Sequence, residues 1–149
     1  MLDQRPAIKI LLVEDDDGHA RLIERNLRRV NLINPIDRVC DGQEAIDYLT
    51  NGGRFGDRSR YSRPKLVLLD INLPRVDGIE VLERIKGDER LRRLPVIMLT
   101  STDNQAEIDR CYGVGASGYV AKPVNIGSLG EKLERLGMFL EIVELPEVA

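Results

Sequence analysis

Four apolar stretches of this sequence each run into a side chain that can handle phosphate or a hard cation. IKILLV leads into Glu14, Asp15 and Asp16, KLVLL into Asp70, PVIML into Thr100, and GYVA into Lys122. Singly, each has a plain explanation: acids at a helix N-terminus, an Asp in a turn, a Thr that caps, a surface lysine. Together they describe chemistry. Carboxylates gathered in a low-dielectric crevice repel one another and call for a proton or a cation. Their oxygens suit Mg2+, which is usually held by one or two carboxylates with waters and phosphate oxygens. No His or Cys joins the set, which disfavours zinc. A carboxylate can attack phosphorus and form an aspartyl-phosphate. The incoming group brings roughly −2 charge at neutral pH. Mg2+ and Lys122 would neutralise it, and the Thr100 hydroxyl would donate to a phosphoryl oxygen. That is positioning with electrostatic stabilisation, the usual help given to phosphoryl transfer.

The elements that must bring these residues together alternate regularly. Strands are predicted at Ile8–Val13, Ile36–Cys40, Lys65–Leu69, Pro95–Leu99 and Gly118–Ala121, mostly as continuous apolar runs suited to burial on both faces. The first helix, capped by Asp16 or Asp17, presents Ala20, Ile23, Leu27 and Val30 at helical spacing and breaks at Asn34-Pro35. Asp41-Gly42 opens a second helix carrying Ala45, Ile46 and Leu49, which Gly52-Gly53 ends. Val76–Lys86, with Ile79, Leu82 and Ile85, is the third, Asp103–Gly113 the fourth, and Ile126, Leu129, Leu133 and Leu136 mark a fifth. Five β–α units predict an α/β fold, a five-stranded parallel sheet with helices on both faces. Functional residues of such sheets collect at the carboxyl ends of the strands, where the four stretches end.

Composition narrows the field. The chain has 149 residues, 42% hydrophobic and 32% charged, as expected for one folded domain spanning 1–149. Twenty-two Lys and Arg against 25 Asp and Glu give a formal charge of −3, and aromatics make up 4% with no Trp. Neither a dominant nucleic-acid surface nor a base-stacking platform is expected. No apolar run approaches the ~18–20 residues of a membrane span, and the first residues lack a secretory pattern, so no membrane association and a cytoplasmic location are expected. Cys40 and Cys111 lack metal-type spacing and read as small apolar residues in a reducing compartment.

LLVEDD at 11–16, LLDINLP at 68–74, VIMLTS at 96–101 and GYVAKP at 118–123 resemble the receiver domain of bacterial two-component response regulators, over about residues 7–137. The resemblance implies a flavodoxin-like (β/α)5 receiver with strand order 2-1-3-4-5. It implies Asp70 as phosphoacceptor. Glu14 and Asp15 would be the acidic pair for Mg2+, Asp15 directly and Glu14 through water, with Asp70 and the backbone carbonyl of Asn72 completing the set. Thr100 and Lys122 would contact the phosphoryl group, Tyr119 would be the switch aromatic or merely an edge-strand ring, and Pro123 holds the family's cis-proline position. Leu73-Pro74 replaces the usual Met-Pro, the stretch Gly52–Pro64 is long, and the tail GMFLEIVELP follows at 137–146. These features resemble the stand-alone regulators that partner bacterial phytochromes, and so imply a phytochrome-type histidine kinase as partner. An output domain is not expected within the chain. The apolar extension 138–149 is expected to fold back or to pair with a second copy, in a homodimer through helix four, strand five, helix five and the tail. Arg54, Arg58, Arg60 and Arg63 against Asp57 make either a solvated loop or a docking patch for an acidic surface.

Rival functions fit less well. A phosphatase working through an aspartyl-phosphate needs a second acid two residues beyond the nucleophile, where this sequence has Asn72. A flavin carrier needs a phosphate-binding loop after strand one, where Glu14-Asp15-Asp16 would repel phosphate. A histidine phosphotransfer bundle is all-helical, and the only histidine, His19, reads as a surface residue. A phosphorelay intermediate serving a different kinase remains the alternative.

Overall fold

A computed structural model describes residues 9–29, 34–100 and 104–122. Helix five, Pro123 with its expected cis bond, and the tail lie outside the described residues, as do Ile8 and Val30.

Within them the strands are β1 (Ile10–Val13), β2 (Ile36–Val39), β3 (Leu66–Asp70), β4 (Val96–Thr100) and β5 (Gly118–Ala121), and the helices are α1 (Asp17–Arg29), α2 (Gly42–Thr50), α3 (Gly78–Gly87) and α4 (Gln105–Val114). All neighbouring strands pair in parallel, in the order β2-β1-β3-β4-β5. The expected fold is the one observed.

Alternation along the strands splits the core into two layers. Leu11, Val13, Val67, Leu69, Val96 and Met98 pack with Ala45, Leu49, Leu82, Ile85 and Cys111 from α2, α3 and α4. Ile10, Leu12, Leu66, Leu68, Ile97 and Leu99 meet Ala20, Ile23 and Leu27 of α1 on the other face. Each fully buried aliphatic side chain contributes about 1.5–3 kcal/mol by leaving water.

Helix starts follow cap chemistry. The Asp16, Asp41 and Asp77 carboxylates accept from the N–H groups of His19, Glu44 and Glu80, and the Asn104 side chain accepts from Ala106 and Glu107. The expected bounds shift where a cap decides: α3 begins at Gly78, after Asp77, and α4 at Gln105, after Asn104. Helix α2 stops at Asn51, which adopts the left-handed conformation at φ 55, one residue before the Gly52-Gly53 expected to end it. Asn tolerates that region, and its side-chain N–H also donates to the carbonyls of Phe55 and Tyr61.

Two expectations need correcting. The stretch Arg54–Arg63, read as polar and without period, contains a 3-10 turn (Gly53–Phe55) and supplies core: Phe55 is buried, and its ring meets Tyr48 and Tyr61 at 5.3 and 5.0 Å. Cys40 is exposed, whereas Cys111 is buried, and burial pushes its thiol pKa up.

Candidate functional site

Parallel pairing brings the four strand ends to one edge. β3 runs one residue further than expected, so Asp70 is its last residue, in register with Leu99 of β4. Thr100 ends β4 opposite Ala121, and the Lys122 N–H continues that ladder to the Thr100 carbonyl at 2.8 Å. Glu14 follows β1, its N–H donating to the Val39 carbonyl at 3.1 Å. Glu14, Asp70 and Thr100 are buried, and Asp15 is exposed at the mouth.

Charge at this edge is unbalanced. Lys122 Nζ donates to Asp70 Oδ2 at 2.7 Å and forms an ion pair with Glu14 Oε1. One carboxylate oxygen from each of Glu14, Asp15 and Asp70 lies within 4.8 Å of the others. Burial pushes the Glu14 carboxyl above its ordinary range, and the neighbouring Asp70 adds to this, while Lys122 pulls the other way. For Lys122, burial opposes the charged form, but the Asp70 and Glu14 carboxylates together outweigh it and raise its pKa. Two buried acids thus share one ammonium, and a third, Asp15, stands beside them at the mouth. Oxygen-only donors around a surplus of negative charge fit a divalent cation and not a soft metal.

The surrounding backbone holds this arrangement. The Asn72 N–H donates to Asp70 Oδ1 at 3.1 Å, and the Asp16 N–H to Glu14 Oε2 at 3.3 Å. Arg38 on β2 donates through Nε to the Glu14 carbonyl at 3.0 Å and pairs with Asp17 at 2.7 Å. Gly78 is required where it stands, because a Cβ there would collide with the Asp70 carbonyl oxygen. Its own N–H donates to the Ile71 carbonyl at 2.8 Å, closing the turn after the acid.

Glu14, Asp15, Asp70, Thr100 and Lys122 therefore converge as expected from their strand ends. Asn72 follows two residues beyond Asp70, its side chain exposed and its backbone N–H facing the Asp70 carboxylate. Tyr119 is on β5, half-buried, its ring edge-on to Tyr112 of α4 at 6.1 Å. Sequence reasoning missed two residues. His19 is exposed, as read, but its Nδ1 also lies 3.4 Å from Lys122 Nζ and 3.7 Å from Glu14 Oε1, a contact the sequence reading did not include. Its place in the first turn of α1, directly after the acidic triplet, was the available signal. Gly78 lay unremarked inside the helix predicted over Val76–Lys86; that its missing Cβ leaves room for Asp70 depends on a contact across the loop.

Residues 10–134 match the model of the response regulator receiver domain. The chain belongs to that family. It is 39% identical over 136 residues to the probable methanogenesis regulatory protein FilR2 of Methanothrix harundinacea, covering 91% of this chain and 85% of that protein. Response regulator Rcp1 of Synechocystis is 34% identical over 145 residues, covering 97% of each. Among solved structures, the bacteriophytochrome response regulator AtBRR superposes with a TM-score of 0.85 at 38% identity, covering 96% of this chain and all of that one. Receiver domains serve two-component signalling, and Rcp1 itself is known in a Mn(2+)-bound form. Among the described residues no helix is long and apolar enough to cross a membrane.

Proposed function

We propose that this chain is a single-domain response regulator that takes a phosphoryl group onto Asp70 from the phosphohistidine of a phytochrome-type histidine kinase. The observation that carries the reading is Asp70 at the end of β3, buried beside the buried Glu14 with Asp15 at the mouth, and hydrogen-bonded to Lys122. A carboxylate oxygen of Asp70 attacks phosphorus, the O–P bond forms as the P–N bond to the kinase imidazole breaks, and the imidazole leaves with the electron pair. Mg2+, held by Glu14, Asp15, Asp70 and the Asn72 carbonyl, would neutralise charge on the phosphoryl oxygens. Lys122 exchanges its Asp70 oxygen for a phosphoryl oxygen without leaving the crevice. Thr100, at the end of the adjacent strand, donates its hydroxyl to another. Tyr119, two residues from Ala121 on the strand paired with Thr100, turns inward as the Thr100 region closes. Asn72 cannot serve as an acid or base, so the aspartyl-phosphate outlives an enzyme intermediate.

The likeness to AtBRR and Rcp1 supports the kinase class. We further propose a cytoplasmic protein that pairs with a second copy through α4, β5 and the segment 123–149.

Incubation with Mg2+ and a small acyl phosphate, read by intact mass, tests the site. One phosphoryl group per chain is expected, absent in Asp70→Asn. Label surviving that substitution would falsify the assignment, and rapid multiple turnover would mark a phosphatase instead. A phytochrome kinase that labels the wild type and not Asp70→Asn completes the test.

A further inference from the structure

Charge is segregated along the strand axis. The segments 54–65 and 84–93 precede β3 and β4, so both lie at the amino edge of the sheet, opposite Asp70. They hold ten of the chain's 22 Lys and Arg and only three of its 25 Asp and Glu. Arg63 ties them together by donating to the Arg90 carbonyl at 3.0 Å.

This basic band borders a groove of about 720 Å³ between the ends of α2 and α3. Its floor is aliphatic, made by Ile46, Leu49, Ile85 and Leu91, with Arg84 and Arg90 at the mouth. A smaller polar pocket of about 120 Å³ adjoins it, where Arg58, Arg63 and Arg90 converge. Arg58 and Arg63 have no carboxylate partner among the described residues, and Arg90 reaches Asp88 only at 3.8 Å. Asp88 and Glu89 line the groove itself, so an incoming anion is directed away from them toward the three arginines.

We propose that this groove docks an acidic, apolar peptide segment of a partner protein, placing one large aliphatic or aromatic side chain on the floor and carboxylates on Arg58, Arg63 and Arg90. Guanidinium forks match carboxylates in pairs, and an apolar anchor beside such pairs is the usual form of a strong docking site. A nucleic acid would need stacking faces, but Arg54 already covers Phe55 at 4.2 Å and Arg60 covers Tyr61 at 4.9 Å. A membrane would need exposed large apolar side chains beside the arginines. Among the described residues those are Leu22 and Tyr112, on α1 and α4. The chain's own acidic tail, residues 138–149, lies outside the described residues and enters the test as a rival occupant. The inference does not depend on phosphoryl transfer, because the band lies at the other edge and stays open while a kinase occupies the acidic one.

The test uses the full chain, isotope-labelled for NMR, and a synthetic peptide with a Leu-Phe centre flanked by Asp and Glu. Resonances of 49–51, 58–63 and 84–91 are expected to shift. Arg58→Ala/Arg90→Ala should weaken binding by about tenfold, and a peptide with Asn and Gln in place of the acids should not bind. The double variant should label at Asp70 at the wild-type rate, which also shows that it is folded. Shifts confined to α4 and β5, or binding indifferent to the arginines, overturn the proposal. So does a peptide of residues 138–149 that binds the groove more tightly than the probe, since the occupant is then a segment of this chain. Arginine-dependent binding of RNA or of phosphatidylserine vesicles, with none of the peptide, overturns it equally.

Discussion

At the carboxyl edge of the sheet Lys122 is set against Glu14 and Asp70; at the amino edge Lys9 is set against Tyr48 and Asp37. Both lysines are largely buried, yet their surroundings differ. Around Lys122 there are more acids than cations, and burial drives the Glu14 carboxyl toward its neutral form. Around Lys9 the demands close. Its Nζ donates to the Tyr48 hydroxyl at 2.9 Å and to the Arg60 and Ser62 carbonyls at 3.4 and 3.2 Å, while Tyr48 donates to Asp37 at 2.6 Å and Arg60 approaches Asp37 at 3.4 Å. Burial and the Asp37 acceptor both raise the Tyr48 pKa, keeping the hydroxyl protonated as the donor this network needs. A buried lysine whose one nearby carboxylate, Asp37, is also met by the Tyr48 hydroxyl and Arg60 fastens a loop. A buried lysine among surplus carboxylates leaves room for further positive charge and for the phosphate that would come with it.

The largest contrast is kinetic. Lys122→Met should slow labelling by an acyl phosphate by about 10²–10³-fold at saturating Mg2+, the scale of losing one preorganised electrostatic contact. Lys9→Met should leave the labelling rate unchanged and lower the unfolding free energy by about 1–2 kcal/mol, as the polar groups it served lose their partner. Equal effects on labelling would erase the distinction between the two edges.

The next contrast is one of sign. Without divalent cations, Asp37→Asn should destabilise by about 2 kcal/mol, because the Tyr48 and Lys9 donors lose a charged acceptor. Glu14→Gln should stabilise by about 1 kcal/mol, because a carboxylate held at a loss is replaced by a neutral amide. Urea unfolding of both variants measures this, and a destabilised Glu14→Gln would show that Lys122 needs both of its carboxylates.

The two edges also differ in how far the sequence revealed them. The acidic edge was legible because parallel β–α units send every strand end to the same side, so Glu14, Asp70, Thr100 and Lys122 could be placed together without distances. The amino edge was not. Phe55 and Tyr61 lie in a short turn and coil where no period exists, and their burial comes from Tyr48, which sits on another element. Helix α2 ended at Asn51 and not at the glycines because the Asn side chain also found acceptors in the loop beyond. Contacts that close a loop are set by tertiary geometry, whereas contacts at strand ends follow from topology.

The smallest expected effect is in the acid limb of stability. Burial works against the charged form of Asp37 and is the largest single influence, but the Tyr48 hydroxyl and Lys9 outweigh it and hold the carboxyl below its usual value. A depressed carboxylate stabilises the fold at pH above its unfolded value, near 3.9, and loses that contribution as pH falls through the lower folded value. Glu14 runs the other way and at higher pH: its raised pKa means stability gained as pH falls through it toward its unfolded value, above the range where Asp37 loses its share. In a Glu14→Gln background the gain at the higher pH should therefore vanish, while the loss of about 1 kcal/mol below about pH 4 stays. Adding Asp37→Asn should flatten that loss. Urea midpoints between pH 5 and pH 3 read this directly. If the limb stays steep without Asp37, the network at the amino edge is not where the acid sensitivity lies.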